Sequence, residues 1–315
     1  MFDELLRNQN TFGIELQKKQ FYFKNLSNQN NSIGVDVTKG VNRVHVYPGD
    51  TVDWTNARYV KYTWKSSSDG ISWTNNEVTS AIVATDIDPS DPSKGEYVGV
   101  TPKTLFTLSP NEVLFIKDFE VTTDTASIVL NGTVKQVWHW SFTNSTDGYF
   151  AIGGDVSTFS GNIKGGLDYN YCFYYTYLKD ASRLVIDSFI DYTNPVSYWF
   201  QYAERLEKAP VLPLKTLQNS CYGYMFNHCI RLVQAPVLPA ETLAESCYSN
   251  MFRDCTSLNW IKAYFVYGQN EPYALNNWVN GVASSGTFLK DANNTWIESG
   301  VSGTPVNWTV QNITI

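Results

Sequence analysis

The sequence predicts a mixed α+β chain: an N-terminal arm, a β-sandwich-like domain, and a short repeat solenoid closed by a C-terminal cap. Three observations carry this. Between residues 21 and 103, apolar or alternating runs recur about every 8–12 residues with turn residues between them, the spacing of strands in a sandwich. In the second half, Ala209-Pro210-Val211-Leu212-Pro213 returns as Ala235-Pro236-Val237-Leu238-Pro239, 26 residues on (209 to 235). Within each copy the apolar residues fall four apart, as Leu217, Cys221 and Met225 do, a spacing that predicts a helix face. The expected boundaries are 1–20 for the arm, 21–103 for the β-sandwich-like domain and 104–315 for the repeat domain. Clear repeats cover 172–258 and the cap covers 259–315.

The arm carries Phe2, Leu5, Leu6 and Phe12, with Asp3, Glu4 and Glu15 balanced by Arg7, Lys18 and Lys19. A segment this short cannot bury both of its faces against itself, so it folds back on the body or docks on a partner. Attachment to another protein chain through those four apolar residues is the expectation.

The β domain opens with Phe21-Tyr22-Phe23 and continues through Gly34-Val35-Asp36-Val37 and Arg43-Val44-His45-Val46-Tyr47 to a Pro48-Gly49-Asp50 turn. Val60-Lys61-Tyr62-Thr63-Trp64 and Ile71-Ser72-Trp73-Thr74 flank Ser66-Ser67-Ser68-Asp69-Gly70, a loop that closes a hairpin. Asp86, Asp88 and Asp91 lie in a turn-rich loop and invite a calcium reading. The calcium-loop pattern needs Gly at the sixth position and Glu at the twelfth, where Asp91 and Tyr97 stand. A solvated loop is the expectation, with calcium the open alternative.

The repeats carry the strongest signal. Cys221, Met225, Phe226, Cys229 and Leu232 recur in register as Cys247, Met251, Phe252, Cys255 and Leu258. Trp199-Phe200, Ala203 and Leu206, and before them Tyr177-Leu178, Ala181 and Leu184, have the same internal spacing. A fixed period of this length means a solenoid of the leucine-rich type, in which no unit buries its own apolar face and neighbours must stack. These ten cysteine, methionine, phenylalanine and leucine positions are the predicted structural core of the repeat.

Composition narrows function. A net charge of −7 without a basic run argues against nucleic acid as a ligand. No 18-residue apolar stretch occurs, so no membrane insertion is read. Asp3, Glu4 and Arg7 interrupt the N-terminal run, so no signal peptide is read and cytoplasmic synthesis is expected, with free thiols. The two C-x7-C pairs do not have zinc spacing, and His228 beside Cys229 points away from it if the segment is helical. No phosphate-loop, dinucleotide, zinc-protease or nucleophile-elbow motif occurs, and His45 and His139 sit in strand-like runs. No catalytic residue, metal ligand or cofactor is therefore assigned. Tyr171, Phe173, Tyr174, Tyr175 and Tyr177 are read as mainly core and supporting residues, with presentation to a glycan or protein the other reading.

The repeats resemble the BspA-like leucine-rich repeats of Bacteroidetes and their phages, whose unit reads close to L-P-A-x-x-L-x-x-x-C-Y-x-x-M-F-x-x-C-x-x-L. Residues 238–258 fit it nearly throughout. Residues 212–232 depart at Leu214 and at Ile230-Arg231. The tail, with Trp278, Phe288 and Pro305-Val306-Asn307-Trp308, is similar to the C-terminal cap of such proteins, and Ser68-Asp69-Gly70-Ile71-Ser72-Trp73 to a strand motif that often precedes the repeats. The resemblance is specific over 172–310, suggestive over 60–171 and absent over 1–20. It implies surface recognition without catalysis. Together with the missing signal peptide, it implies a non-enzymatic phage virion fibre or decoration protein, assembled in the host cytoplasm and located in the virion. Its arm would bind other virion proteins, its repeats would meet a host-surface protein or glycan, and analogy with phage fibres gives a homotrimer. A cellular BspA-like adhesin exported by another route is the alternative, and a carbohydrate-active enzyme the third reading.

Overall fold

The structure, a computed structural model, describes residues 20–36, 43–45, 51–52, 59–85, 97–100, 103–123, 128–129, 136–137, 139–143, 150–155, 167–168, 173–187, 196–266, 271, 273–294 and 299–313. The arm residues Phe2, Leu5, Leu6 and Phe12, the Asp86, Asp88 and Asp91 loop, and Cys172 lie outside the described residues. The strands, in chain order, are β1 (Phe21–Asn25), β2 (Asn31–Asp36), β3 (Arg43–His45), β4 (Thr51–Val52), β5 (Tyr59–Ser67), β6 (Thr74–Thr85), β7 (Tyr97–Val100), β8 (Lys103–Leu108) and β9 (Val113–Thr123). There follow β10 (Ile128–Val129), β11 (Gln136–Val137), β12 (His139–Thr143), β13 (Phe150–Asp155), β14 (Leu167–Asp168), β15 (Leu178–Val185), β16 (Trp260–Ala263), β17 (Thr287–Lys290) and β18 (Thr309–Asn312).

Eight strands form one sheet in the order β15-β13-β1-β9-β5-β6-β7-β3. Strand β1 is central, between β13 and β9, and its run Phe21-Tyr22-Phe23 is buried against Phe173, Phe115 and Phe106. A three-stranded sheet, β12-β2-β8, packs on the large one through Phe106, whose ring lies 5.8 Å from Phe23 and 6.1 Å from Trp64. The large sheet takes strands from both sides of residue 104. Gly154, with φ +97°, lets the chain pass Gln20, whose carbonyl oxygen a side-chain carbon there would overlap. At the β5–β6 hairpin, Asp69 Oδ1 accepts the amides of Ile71 and Ser72, each at 2.8 Å, and the Ser67 hydroxyl at 2.7 Å.

Strand β15 is both the edge of the large sheet and the first rung of the solenoid. It pairs in parallel with β13, and Asp180 bridges to Lys208, Lys208 to Gln234, and Gln234 to Trp260. The ladder continues in parallel through β16, β17 and β18. The segment expected as a cap thus carries the same coil onward.

The expectation of a mixed α+β fold is corrected: no helix forms among the described residues. Where helices were expected, the chain makes consecutive turns with a period of four. Cys221, Gly223, Met225, Asn227 and Cys229 each donate their amide three residues back within the coil, at 3.0–3.3 Å. The residues between them, Ser220, Tyr222, Tyr224, Phe226 and His228, donate to the next coil, at 2.8–3.0 Å. A left-handed residue closes each turn: Ser220, Tyr224 and His228 in one coil, Ser246, Asn250 and Asp254 in the next. A helix would turn apolar residues spaced by four about 40° further at each step, carrying Leu217 and Cys229 to different faces. A period of four keeps Cys221, Met225 and Cys229 on one inner wall, all fully buried.

Candidate functional site

The interior of the solenoid consists of side-chain columns, one member per coil. All ten predicted core positions (Cys221, Met225, Phe226, Cys229, Leu232, Cys247, Met251, Phe252, Cys255 and Leu258) are 0% exposed. Phe173, Phe200, Phe226 and Phe252 stack nearly face to face, with centroids 5.3, 5.5 and 5.6 Å apart. Tyr222 and Tyr248 form a second stack at 5.9 Å. The bridges between coils are short enough for facing rings to meet because each rung of a parallel ladder lies about 4.8 Å from the next.

The thiols are packing groups. Cys221, Cys229, Cys247 and Cys255 are free and buried. The Sγ of Cys229 and of Cys255 donate to the Phe200 and Phe226 carbonyls, both at 3.0 Å. Burial pushes the Cys247 thiol up to about 12, and it raises those of Cys221, Cys229 and Cys255 as well. A thiol this hard to ionise is a poor nucleophile. His228, sequence neighbour of Cys229, stands on the outer wall, 3.8 Å from Glu204. Among the described residues no cluster of His, Cys, Asp or Glu suits a metal ion.

The outer wall carries the candidate site, built on the left-handed turn residues, whose side chains project away from the core. Tyr175 and Tyr202 stack at 4.8 Å and 3°, with His228 4.9 Å beyond Tyr202. Tyr174 sets its ring edge-on to both tyrosines. A neighbouring column stacks Tyr198 on Tyr224 at 4.9 Å. Between the two columns the Gln201 Nε2 donates to Asn227 Oδ1 at 2.8 Å, across 26 residues, and Asn227 Nδ2 donates to the Arg253 carbonyl. Tyr175 is 45% exposed, and the other members are partly exposed or, like Asn227, buried. Tyr177, also exposed, lies under the Arg205 guanidinium, 5.0 Å from its ring centre. The face therefore offers rings, amides and a carboxylate side by side.

On the strand side, Ala209–Pro213 and Ala235–Pro239 border an apolar groove of about 610 Å³. The prolines there have no amide to give the ladder, and Val211 and Val237 face outward, more than 40% exposed. Sequence reasoning missed both the outer columns and the turns that build them. The signal lay in residues tolerant of positive φ, Asn250, Asp254, Asn277 and Gly281, spaced by four and by 27 (254 to 281). Searches against family models, curated proteins and solved structures find no match to this chain.

Proposed function

We propose that the chain is a non-enzymatic recognition protein, a phage virion fibre or decoration protein whose solenoid meets a host-surface glycan. The observation that carries recognition is the outer wall: the Tyr198–Tyr224 and Tyr175–Tyr202–His228 columns flank the Gln201 and Asn227 amides, with Glu204 alongside. Sugars present C–H surfaces that pack on aromatic rings and hydroxyls that bridge amides and carboxylates. Stacking holds the rings in place before any ligand arrives, so little rotamer entropy is lost on binding. The inert thiols favour recognition over covalent chemistry. The virion setting is supported by the resemblance of residues 212–258 to BspA-like units.

The test of recognition is a glycan array with the purified chain, repeated with Tyr202→Ala and with Gln201→Ala. Selective glycan binding that both substitutions weaken by roughly tenfold or more supports the reading. No glycan bound, or binding indifferent to both, refutes it, and binding to host-surface protein alone replaces glycan with protein. A mass-spectrometric inventory of purified particles tests the virion setting by itself.

A further inference from the structure

The two ends of the solenoid differ. At the N-terminal end β15 is covered by β13 and the rest of the large sheet. At the C-terminal end β18 is the edge of its sheet, no described strand pairs its outer side, and its four side chains are all exposed. The inward column shows what this leaves uncovered. Ile261 and Phe288, paired in register, are 0% exposed, whereas Val310, next in the same register, is 43% exposed. Val301 and Val306, also exposed, border an adjoining hollow of about 250 Å³.

Terminal coils of solenoids turn a polar face to water, and free edge strands are guarded by lysine, proline or a bulge. Here no charged residue occurs from Ser299 to Ile315. Thr309 and Ile313 donate their amides inward, to Gly286 O at 2.9 Å and Lys290 O at 2.8 Å. Strand alternation then turns the amides and carbonyls of Val310 and Asn312 outward.

We propose that this end is a homodimer interface, in which two copies pair β18 edge to edge and antiparallel about a two-fold axis at Gln311. Val310 of one copy then meets Asn312 of the other, each such pair exchanging both backbone hydrogen bonds. The two-fold also brings together the exposed valines of the two end coils. A second copy is the occupant because the surface is self-complementary in register and free of charge. Chains of net charge −7 repel wherever like charges meet, and residues 299–315 carry no charged side chain. The interface is independent of the glycan reading and predicts a two-fold assembly where analogy with phage fibres predicts a homotrimer.

Sedimentation equilibrium of the full chain over a wide concentration range tests this, with Val310→Lys and Asn312→Pro as variants. Val310→Lys places a charge at the end of the apolar column. Asn312→Pro removes an outward amide and leaves the Ile313 bond to Lys290 in place. A wild-type dimer is expected, with dissociation constants raised roughly tenfold or more in both variants. A wild-type monomer or trimer, or a dimer unaffected by both substitutions, overturns the proposal. Hydrogen exchange of the wild-type chain gives a reading that needs no variant. The Val310 and Asn312 amides should slow as concentration rises, and rates that do not change with concentration also overturn it.

Discussion

Replacing Phe226 by Ala cuts the aromatic column at its centre. The ring is 0% exposed and lies between Phe200 at 5.5 Å and Phe252 at 5.6 Å, with interplanar angles of 7° and 4°. Deleting a buried phenylalanine ring costs about 3–5 kcal/mol, the upper end where the surroundings cannot collapse. Collapse is blocked here because the backbone is bonded to both neighbouring coils: the Phe226 amide donates to Met251 O at 2.9 Å, and the adjacent Met225 carbonyl accepts the Phe200 amide at 2.9 Å. The two stacked pairs that go with the ring, each worth about 0.5–1.5 kcal/mol beyond area burial in double-mutant cycles, place the loss in the upper part of that range. The expected loss is therefore about 4–5 kcal/mol, with Phe226→Leu, which loses both stacked pairs but keeps much of the volume, costing less. Urea unfolding followed by tryptophan fluorescence measures both. Because a solenoid is held by nearest-neighbour contacts, the alanine variant should also show a smaller urea slope as the two ends uncouple. A loss under about 2 kcal/mol with an unchanged slope would refute the stacked-column reasoning.

Three further outcomes follow from the same geometry. Four of the five cysteines should stay unreactive to a thiol reagent at neutral pH in the native protein and all five should react in denaturant; native labelling of Cys229 or Cys255 would contradict their burial. The Asp69 carboxyl is held down from 3.8 to about 2 by the Ser72 amide, then the Ile71 amide and the Ser67 hydroxyl. A depressed carboxylate contributes above its ordinary pKa and loses that contribution as pH falls through the folded value, so the hairpin tip should open between about pH 4 and 2. NMR shifts of the Ile71 and Ser72 amides report this, and Asp69→Asn, which keeps the acceptor, should abolish the step; a tip that titrates identically in both proteins defeats the assignment. Ser246→Val should cost about 1–2 kcal/mol, because Ser246 has φ +54° and a β-branched residue resists that conformation. The same change in an exposed helix costs only a few tenths of a kcal/mol, so a small loss together with helical circular dichroism would favour helices after all.

The repeat register is legible because packing writes it directly: residues that stack must be of one kind, and Cys221 with Cys247 or Phe226 with Phe252 show it without any structure. The local conformation is less legible. Leu217, Cys221 and Met225 fit both a helix and a run of four-residue turns over so short a stretch, and apolar spacing alone does not separate them. What separates them is the left-handed residue of each turn, where Asn250, Asp254 and Gly281 favour positive φ but Tyr202 and Tyr224 do not. In the aromatic coils the bonds between coils override residue preference, so the cue fades where the candidate site lies. The joining of β15 to both the large sheet and the solenoid is not legible either, because the parallel pairing of β13 with β15 depends on long-range closure rather than on any local pattern.

The inner and outer columns are constrained differently, and this bears on function. An inner column must keep shape from coil to coil, and it does so as Phe200, Phe226, Phe252 and then Trp278. The outer column on the same coils reads Tyr202, His228, Asp254 and Gly281, all four at positive φ. The backbone is thus held constant while the side chain passes from ring to imidazole to carboxylate to none. Stability does not demand that sequence, since glycine relieves the conformation at every one of these positions. A surface whose chemistry changes stepwise along a rigid, evenly spaced ladder can tell one end of an extended ligand from the other. Reversing the order, with Tyr202→Asp and Asp254→Tyr together, should preserve the fold, because both positions already accept a side chain at positive φ. It should also abolish selective glycan binding rather than merely weaken it. A double variant that folds and binds the same glycans with equal affinity would show that recognition lies elsewhere, with the Val211 and Val237 groove the next surface to test.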